Sequence, residues 1–112
     1  MTPAGEIVVR AERAGESSAV REVVAAAFDD VTVADLVDAL QADEAGRLGA
    51  SIVAVIDDRI VGHVQLSRSW LDAPARLIEV LVLSPLAVAP SAQGQGIGGR
   101  LVRAALETAD DL

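Results

Sequence analysis

Four glycines fall within six residues, at Gly94, Gly96, Gly98 and Gly99, between a long apolar run and an amphipathic helical pattern. Each glycine disfavours a helix by about 1 kcal/mol relative to alanine. Such a composition at a helix start indicates that the backbone must approach something closely. The free N–H groups and the positive dipole end of a helix start suit a phosphate. The chain must therefore lead a strand through a tight turn into a helix that can hold an anion.

Three phosphate-binding motifs match this segment to different degrees. The P-loop is excluded because it requires a lysine, and all nine basic residues are arginine. The dinucleotide fingerprint G-x-G-x-x-G fits residues 94–99. However, residues 89–93 separate those glycines from the strand, and the acidic residue expected about 20 positions later would lie beyond the sequence. The third motif, Gln/Arg-x-x-Gly-x-Gly/Ala, is matched by Gln93, Gly96 and Gly98.

Hydrophobic spacing along the chain predicts the element order β-α-α-β-β-β-α. Apolar residues alternate with polar ones from 60 to 67, so we expect one face of that strand to be exposed. Pro85 lies within the last strand and predicts an edge position or a bulge. The predicted strands are 7–11, 51–56, 60–67 and 77–88, and the predicted helices lie near 20–28, 33–40 and 97–110.

Two local signals give further expectations. Thr32, with Asp35 three residues later, resembles a capping box at the start of the second helix. Residues 70–76, which include Trp70 and Pro74, are predicted to form a loop.

Composition excludes several classes of function. With 112 residues the chain makes one domain, and 52% hydrophobic residues exclude intrinsic disorder. Having no cysteine and one histidine, it has no thiolate or histidine-rich metal site, and we expect no metal. A net charge of −8 and 2% aromatic residues argue against a nucleic-acid partner. No apolar run is long enough for a membrane span and no signal peptide is evident, which predicts a cytoplasmic protein.

The segment from residue 83 to 100 resembles the acyl-CoA-binding motif of the GNAT superfamily of N-acetyltransferases. The motif residues are Gln93, Gly96 and Gly98, and the preceding run is Pro-Leu-Ala-Val-Ala-Pro at 85–90. The hairpin Ile-Asp-Asp-Arg-Ile-Val-Gly-His-Val at 56–64 and the predicted element order are also similar to that family. The resemblance implies an α/β fold with a mixed sheet and acetyl-CoA as the co-substrate.

The resemblance also implies a binding residue set. Backbone groups of Leu86, Ala87 and Val88 would pair with the pantetheine arm as another strand does. The strand near Pro85 would aim an N–H at the thioester carbonyl, as an oxyanion hole does. An amine would attack the thioester directly. The pyrophosphate would be held by backbone N–H groups of Gln93, Gly94, Gln95, Gly96, Ile97, Gly98 and Gly99.

The family pattern extends beyond this chain. Its members continue with a fifth strand, a further helix that often carries a catalytic tyrosine, and closing strands, whereas this sequence contains no tyrosine. We therefore expect a single acetyltransferase-like domain, truncated at its C-terminus. Glu79, on the motif strand, is the candidate catalytic base, against its interpretation as a solvent-facing carboxylate. His63 is the other candidate, and Trp70 is expected either to line a substrate pocket or to cover a core edge.

Two functions follow from these expectations. The first is an N-acetyltransferase that moves an acetyl group from acetyl-CoA to a small-molecule or protein amine. The alternative is a non-catalytic CoA-binding or protein-interaction module. Because the long strand at 77–88 would lack its usual neighbour, a homodimer through that exposed edge is also expected.

Overall fold

The structure, a computed structural model, describes residues 6–43, 48–73 and 76–112, and only the backbone of residues 71–73 and 76–79. The observed order confirms the predicted β-α-α-β-β-β-α succession. The elements are β1 (Ile7–Ala11), α1 (Ser17–Phe28), α2 (Val31–Ala42), β2 (Ala50–Ile56), β3 (Arg59–Ala73), β4 (Arg76–Val88), a 3-10 turn (Pro90–Ala92) and α3 (Ile97–Asp110).

The four strands form one sheet in the order β1-β2-β3-β4. All three pairings are antiparallel, so the described sheet is antiparallel rather than mixed. This follows because β2, β3 and β4 succeed one another directly, and the α1–α2 pair returns the chain antiparallel to β1. Within the described residues β4 is an edge strand, paired with β3 on one side only.

Helices cover both faces of the sheet. On one face, Val20 and Val24 of α1 pack with Val53 of β2 and Ala87 of β4. On the other face, Leu101 and its neighbours in α3 pack against the opposite side of β2 and β3. Each large aliphatic side chain that is fully buried in this way stabilises the fold by roughly 1.5–3 kcal/mol.

The expectation of a half-exposed third strand is wrong. His63, Gln65 and Ser67 are 0%, 1% and 5% exposed, even though they form the polar side of the alternation. The α1–α2 pair covers this face, and α3 covers the face that carries Val64 and Leu66. The strand is therefore buried on both sides, with its polar side chains inside.

β4 contains a bulge at Ser84–Pro85. Val64 pairs with Leu86, but Leu66 pairs with Leu83, so β4 has one more residue than β3 across this stretch. A proline cannot donate a ladder hydrogen bond, which confines it to edges and bulges. The bulge that the sequence allowed at Pro85 is confirmed.

Two local expectations are corrected. Asp30, not Thr32, is the N-cap of α2, and its carboxylate accepts a 2.8 Å hydrogen bond from the Thr32 N–H. The loop predicted for residues 70–76 is mostly strand, because β3 and β4 stay paired as far as Ala73 opposite Arg76. Pro74 and the residue after it lie outside the described part of the chain.

Candidate active site

The outer edge of β4 presents free backbone groups. Ala89 donates its N–H to the Val61 carbonyl oxygen at 2.7 Å, so its backbone faces β3. Because hydrogen-bonding direction alternates along a strand, the N–H and C=O groups of Leu86 and Val88 face outward. The Gln93 side-chain amide donates to the Val88 carbonyl at 3.1 Å, which places that carbonyl on the outer side. Within the described residues the edge thus offers outward-facing donors and acceptors to an extended ligand, and the Val88 carbonyl already accepts from Gln93.

Ala87 lies between these two outward-facing residues. It pairs with His63 across the ladder, so its own backbone groups face β3. Its methyl group is buried against the α1–α2 side of the core. Of the three predicted strand positions, Leu86 and Val88 carry the outward-facing backbone groups.

The glycine turn leaves open space at the start of α3. Gly94 and Gly96 have φ angles of +82° and +77°, in the region that favours glycine. A Cβ added at Gly94, Gly96 or Gly99 would meet no atom within 4 Å, and one at Gly98 would make only ordinary contacts, the nearest at 3.9 Å. The protein's own packing therefore does not require glycine at positions 98 and 99, and room for a ligand remains beside the backbone.

The first turn of α3 supplies N–H donors to that space. Gly96 is the N-cap, and none of the described side chains caps the helix. The first intrahelical bond runs from the Arg100 N–H to the Gly96 carbonyl, at 3.2 Å. The N–H groups of Ile97, Gly98 and Gly99 precede that bond and have no intrahelical partner. Together with the helix dipole they can hold a phosphate.

The core fixes this helix start relative to the sheet. Ile97, Leu101 and Ala105 are each at most 1% exposed and pack onto β2 and β3. Of the other motif residues, Gln93 and Gln95 are exposed at the turn. The glycine turn and the outer edge of β4 therefore form one continuous, rigidly supported surface.

His63 is far less accessible than a catalytic base would be. Burial lowers its pKa from the ordinary 6.5 to about 4, so it is neutral. Ser51 donates its hydroxyl proton to the Glu12 carboxylate at 2.5 Å and so accepts the proton of His63 Nε2, at 2.8 Å. The Gln41 side-chain amide donates hydrogen bonds to the side chains of Glu12 and Gln65 and so belongs to the same network. The sequence did not indicate this network, because its members come from distant segments.

Glu79, the candidate base, lies on β4 opposite Trp70 in the ladder. Its side chain lies outside the described part of the chain. Trp70 itself is 56% exposed, so it does not serve as a core residue. No group of three or more metal-ligating side chains occurs among the residues that the structure describes. Within those same ranges, no helix is long and apolar enough to cross a membrane.

A cavity of about 270 Å³ lies between α2 and the β3–β4 pair, and it reaches Ser84 beside the bulge. Sequence reasoning did not find it, since its walls come from three elements. A larger hollow of about 470 Å³ lies between α1 and the β2–β3 turn. Of the two, only the smaller one adjoins the bulge of β4.

Comparison with known proteins decides the family. The model of the acetyltransferase (GNAT) family matches residues 17–112. The chain belongs to the GNAT acetyltransferase family. It is 38% identical over 92 residues to the uncharacterized N-acetyltransferase YjhQ of Escherichia coli K12, an alignment that covers 82% of this chain and 51% of YjhQ. The chain thus spans about half the length of that curated relative.

Solved structures of GNAT proteins share the fold. A GNAT family acetyltransferase from Brucella melitensis, solved with acetyl-CoA, has a TM-score of 0.79 and 33% identity, with 92% of this chain and 68% of that one covered. The E. coli protein YhbS, solved with CoA, has a TM-score of 0.83 at 24% identity, with 99% and 60% covered. The GNAT fold expected from the glycine motif is therefore confirmed.

Proposed function

We propose that this GNAT chain binds acetyl-CoA along the outer edge of β4 and transfers the acetyl group to an amine. The observation that carries the proposal is the continuity of that edge with the glycine turn. Outward-facing strand groups lead directly to N–H donors that have no intrahelical partner at a helix start. The Brucella relative solved with acetyl-CoA and the YhbS structure solved with CoA support this choice of ligand.

Each binding element has a distinct role in this proposal. The outward-facing groups of Leu86 and Val88, on the predicted strand 86–88, pair with the amides of the pantetheine arm. The N–H groups of residues 94–99 hold the pyrophosphate, without a charged side chain. The Gln93 N–H, also predicted for this role, already donates to the Pro90 carbonyl at 3.4 Å. Gln93 also donates to the Val88 carbonyl, so its side chain shares that acceptor with the ligand.

The bulge at Ser84–Pro85 determines which backbone N–H of β4 can contact the thioester. Pro85 has no N–H, and the N–H of Leu86, the next residue, faces the free edge. We place the thioester carbonyl oxygen there, where a fixed donor stabilises the negative charge that develops during attack. The amine nitrogen forms a bond to the carbonyl carbon, the carbon–sulfur bond breaks, and its electron pair leaves with the thiolate. Proximity supplies much of the rate, since both reactants are held on one rigid surface.

We propose that Glu79 accepts the proton lost by the amine nitrogen through a chain of water molecules, because it lies seven residues before Leu86 on β4, roughly 20 Å of extended strand. Glu79→Gln should lower kcat about 100-fold at neutral pH while leaving the acetyl-CoA dissociation constant within twofold of wild type. Thiol release measures the reaction cleanly, because the chain has no cysteine that reacts with a thiol reagent. An unchanged kcat and an unchanged pH profile would remove Glu79 from the mechanism.

The alternative, a non-catalytic CoA-binding or interaction module, predicts acetyl-CoA binding without thiol release for any amine. The homodimer expected through β4 would use the same outward-facing backbone groups as the pantetheine arm. It stays a prediction, and in the proposed function it competes with the ligand.

A further inference from the structure

The cavity beside the bulge has a distinct chemical lining. Leu36 and Leu40 of α2 form one wall, and Val82 of β4 forms another. Leu36 is 50% exposed and Val82 is 44% exposed, so apolar surface surrounds the opening. The remaining lining residues are Ser67, Arg68 and Ser69 of β3 and Ser84 of β4.

The lining holds hydroxyl groups but no carboxylate among the described side chains. Ser67 and Ser69 share one face of β3, and the charged residue among the described lining, Arg68, is itself a cation. A second cation on the occupant would therefore meet no counter-charge there. Such an unpaired charge is costly to desolvate.

Ser67 is the polar contact point of this cavity. The residue is 5% exposed, and its Oγ has no hydrogen-bond partner among the described residues. A buried hydroxyl without a partner costs about 1–3 kcal/mol. An occupant with one hydrogen-bonding group would remove that cost. Ser67 pairs with Val82 across the ladder, so the hydroxyl lies beside an apolar wall.

We infer that this cavity receives the acceptor, and that the acceptor is a compact primary amine with an apolar body, one neutral hydrogen-bonding group and no second charge. This inference rests on the proposed function, which places the acetyl carbonyl at the bulge. Ser84, on the cavity wall, immediately precedes Pro85 there. A volume of about 270 Å³ accommodates a small aliphatic amine.

Matched amines of one chain length test the inference through thiol release. An amino alcohol should give kcat/KM at least tenfold above that of the corresponding diamine. Ser67→Ala should lower kcat/KM for the amino alcohol about tenfold, through KM, and leave the plain alkylamine within twofold. Leu36→Asp, which places a carboxylate at the exposed rim, should reverse the preference toward the diamine. Leu106→Asp, at a 60% exposed site on α3, is the matched charge control and should keep the wild-type preference.

The KM for acetyl-CoA and the affinity of the chain for acetyl-CoA, measured by calorimetry, test the proposed function separately from this inference. A wild-type preference for the diamine, or a Ser67→Ala variant with an unchanged amino-alcohol to alkylamine ratio, overturns the inference. If the chain binds acetyl-CoA but neither acetylates nor binds any compact primary amine with one neutral hydrogen-bonding group, the inference is overturned as well. Failure of the folded wild-type chain to bind acetyl-CoA would instead overturn the proposed function.

Discussion

At the scale of single residues, His63 shows what sequence reasoning can miss. Alternation correctly placed it on the polar side of its strand. Whether that side faces water depends on the α1–α2 pair, and periodicity within one strand carries no information about its cover. The hydrogen bonds that make burial acceptable come from Ser51 and, through it, Glu12, which are distant in sequence.

Burial of His63 predicts how stability depends on pH. Its folded pKa of about 4 lies below the ordinary 6.5, so the unfolded chain binds the proton first as pH falls. Its contribution is fully present above pH 6.5 and is lost as pH falls toward 4. We expect His63→Gln, which keeps a donor for Ser51, to remove about 2 kcal/mol of the loss in unfolding free energy between pH 7 and pH 5. Urea unfolding of both proteins at the two pH values measures this. Equal losses in wild type and variant would contradict the buried, neutral histidine.

At the scale of elements, local signals in the sequence predicted the order of helices and strands and the bulge at Pro85. They failed where a distant segment decides the outcome. Residues 70–73 and Arg76 continue the β3–β4 ladder, because cross-strand pairing outweighs the loop signal that the sequence gives there. The cap of α2 lies at Asp30, two residues before the predicted Thr32, since its carboxylate reaches the N–H of the first turn.

The glycines at the start of α3 predict opposite effects of one substitution. Gly96 has a φ of +77°, so Gly96→Ala should destabilise the fold by about 1–2 kcal/mol. Gly99 lies inside the helix with open space around it, so Gly99→Ala should stabilise the fold by about 1 kcal/mol. Thermal or urea unfolding of the two variants tests the pair. A change of the same sign in both would contradict the described turn.

The candidate site could also be predicted only where a local pattern in the sequence determines it. The glycine motif is local in sequence, so its position at a helix start could be derived and is confirmed. The outward direction of Leu86 and Val88 depends on the register with β3, and the cavity beside the bulge depends on where α2 packs. Neither the β3–β4 register nor the packing of α2 can be derived from a local pattern in the sequence.

At the scale of the whole molecule, the net charge of −8 opposes an anionic ligand. Screening limits that repulsion to about 8 Å at physiological ionic strength. The donors at the glycine turn act at contact distance, and Arg100 and Arg103 are exposed one turn further on. Local geometry should therefore outweigh the overall charge.

Calorimetric titration with acetyl-CoA tests the central claim most directly. The folded wild-type chain should bind, and ligand at 100 times its dissociation constant should add about 2.7 kcal/mol to the unfolding free energy. Gly98→Glu should abolish binding, because it places bulk and negative charge beside the pyrophosphate. Leu106→Glu adds the same charge at an exposed site on the same helix and should bind as wild type does. A folded wild-type chain that does not bind, or a Gly98→Glu variant that binds with wild-type affinity, would contradict the account.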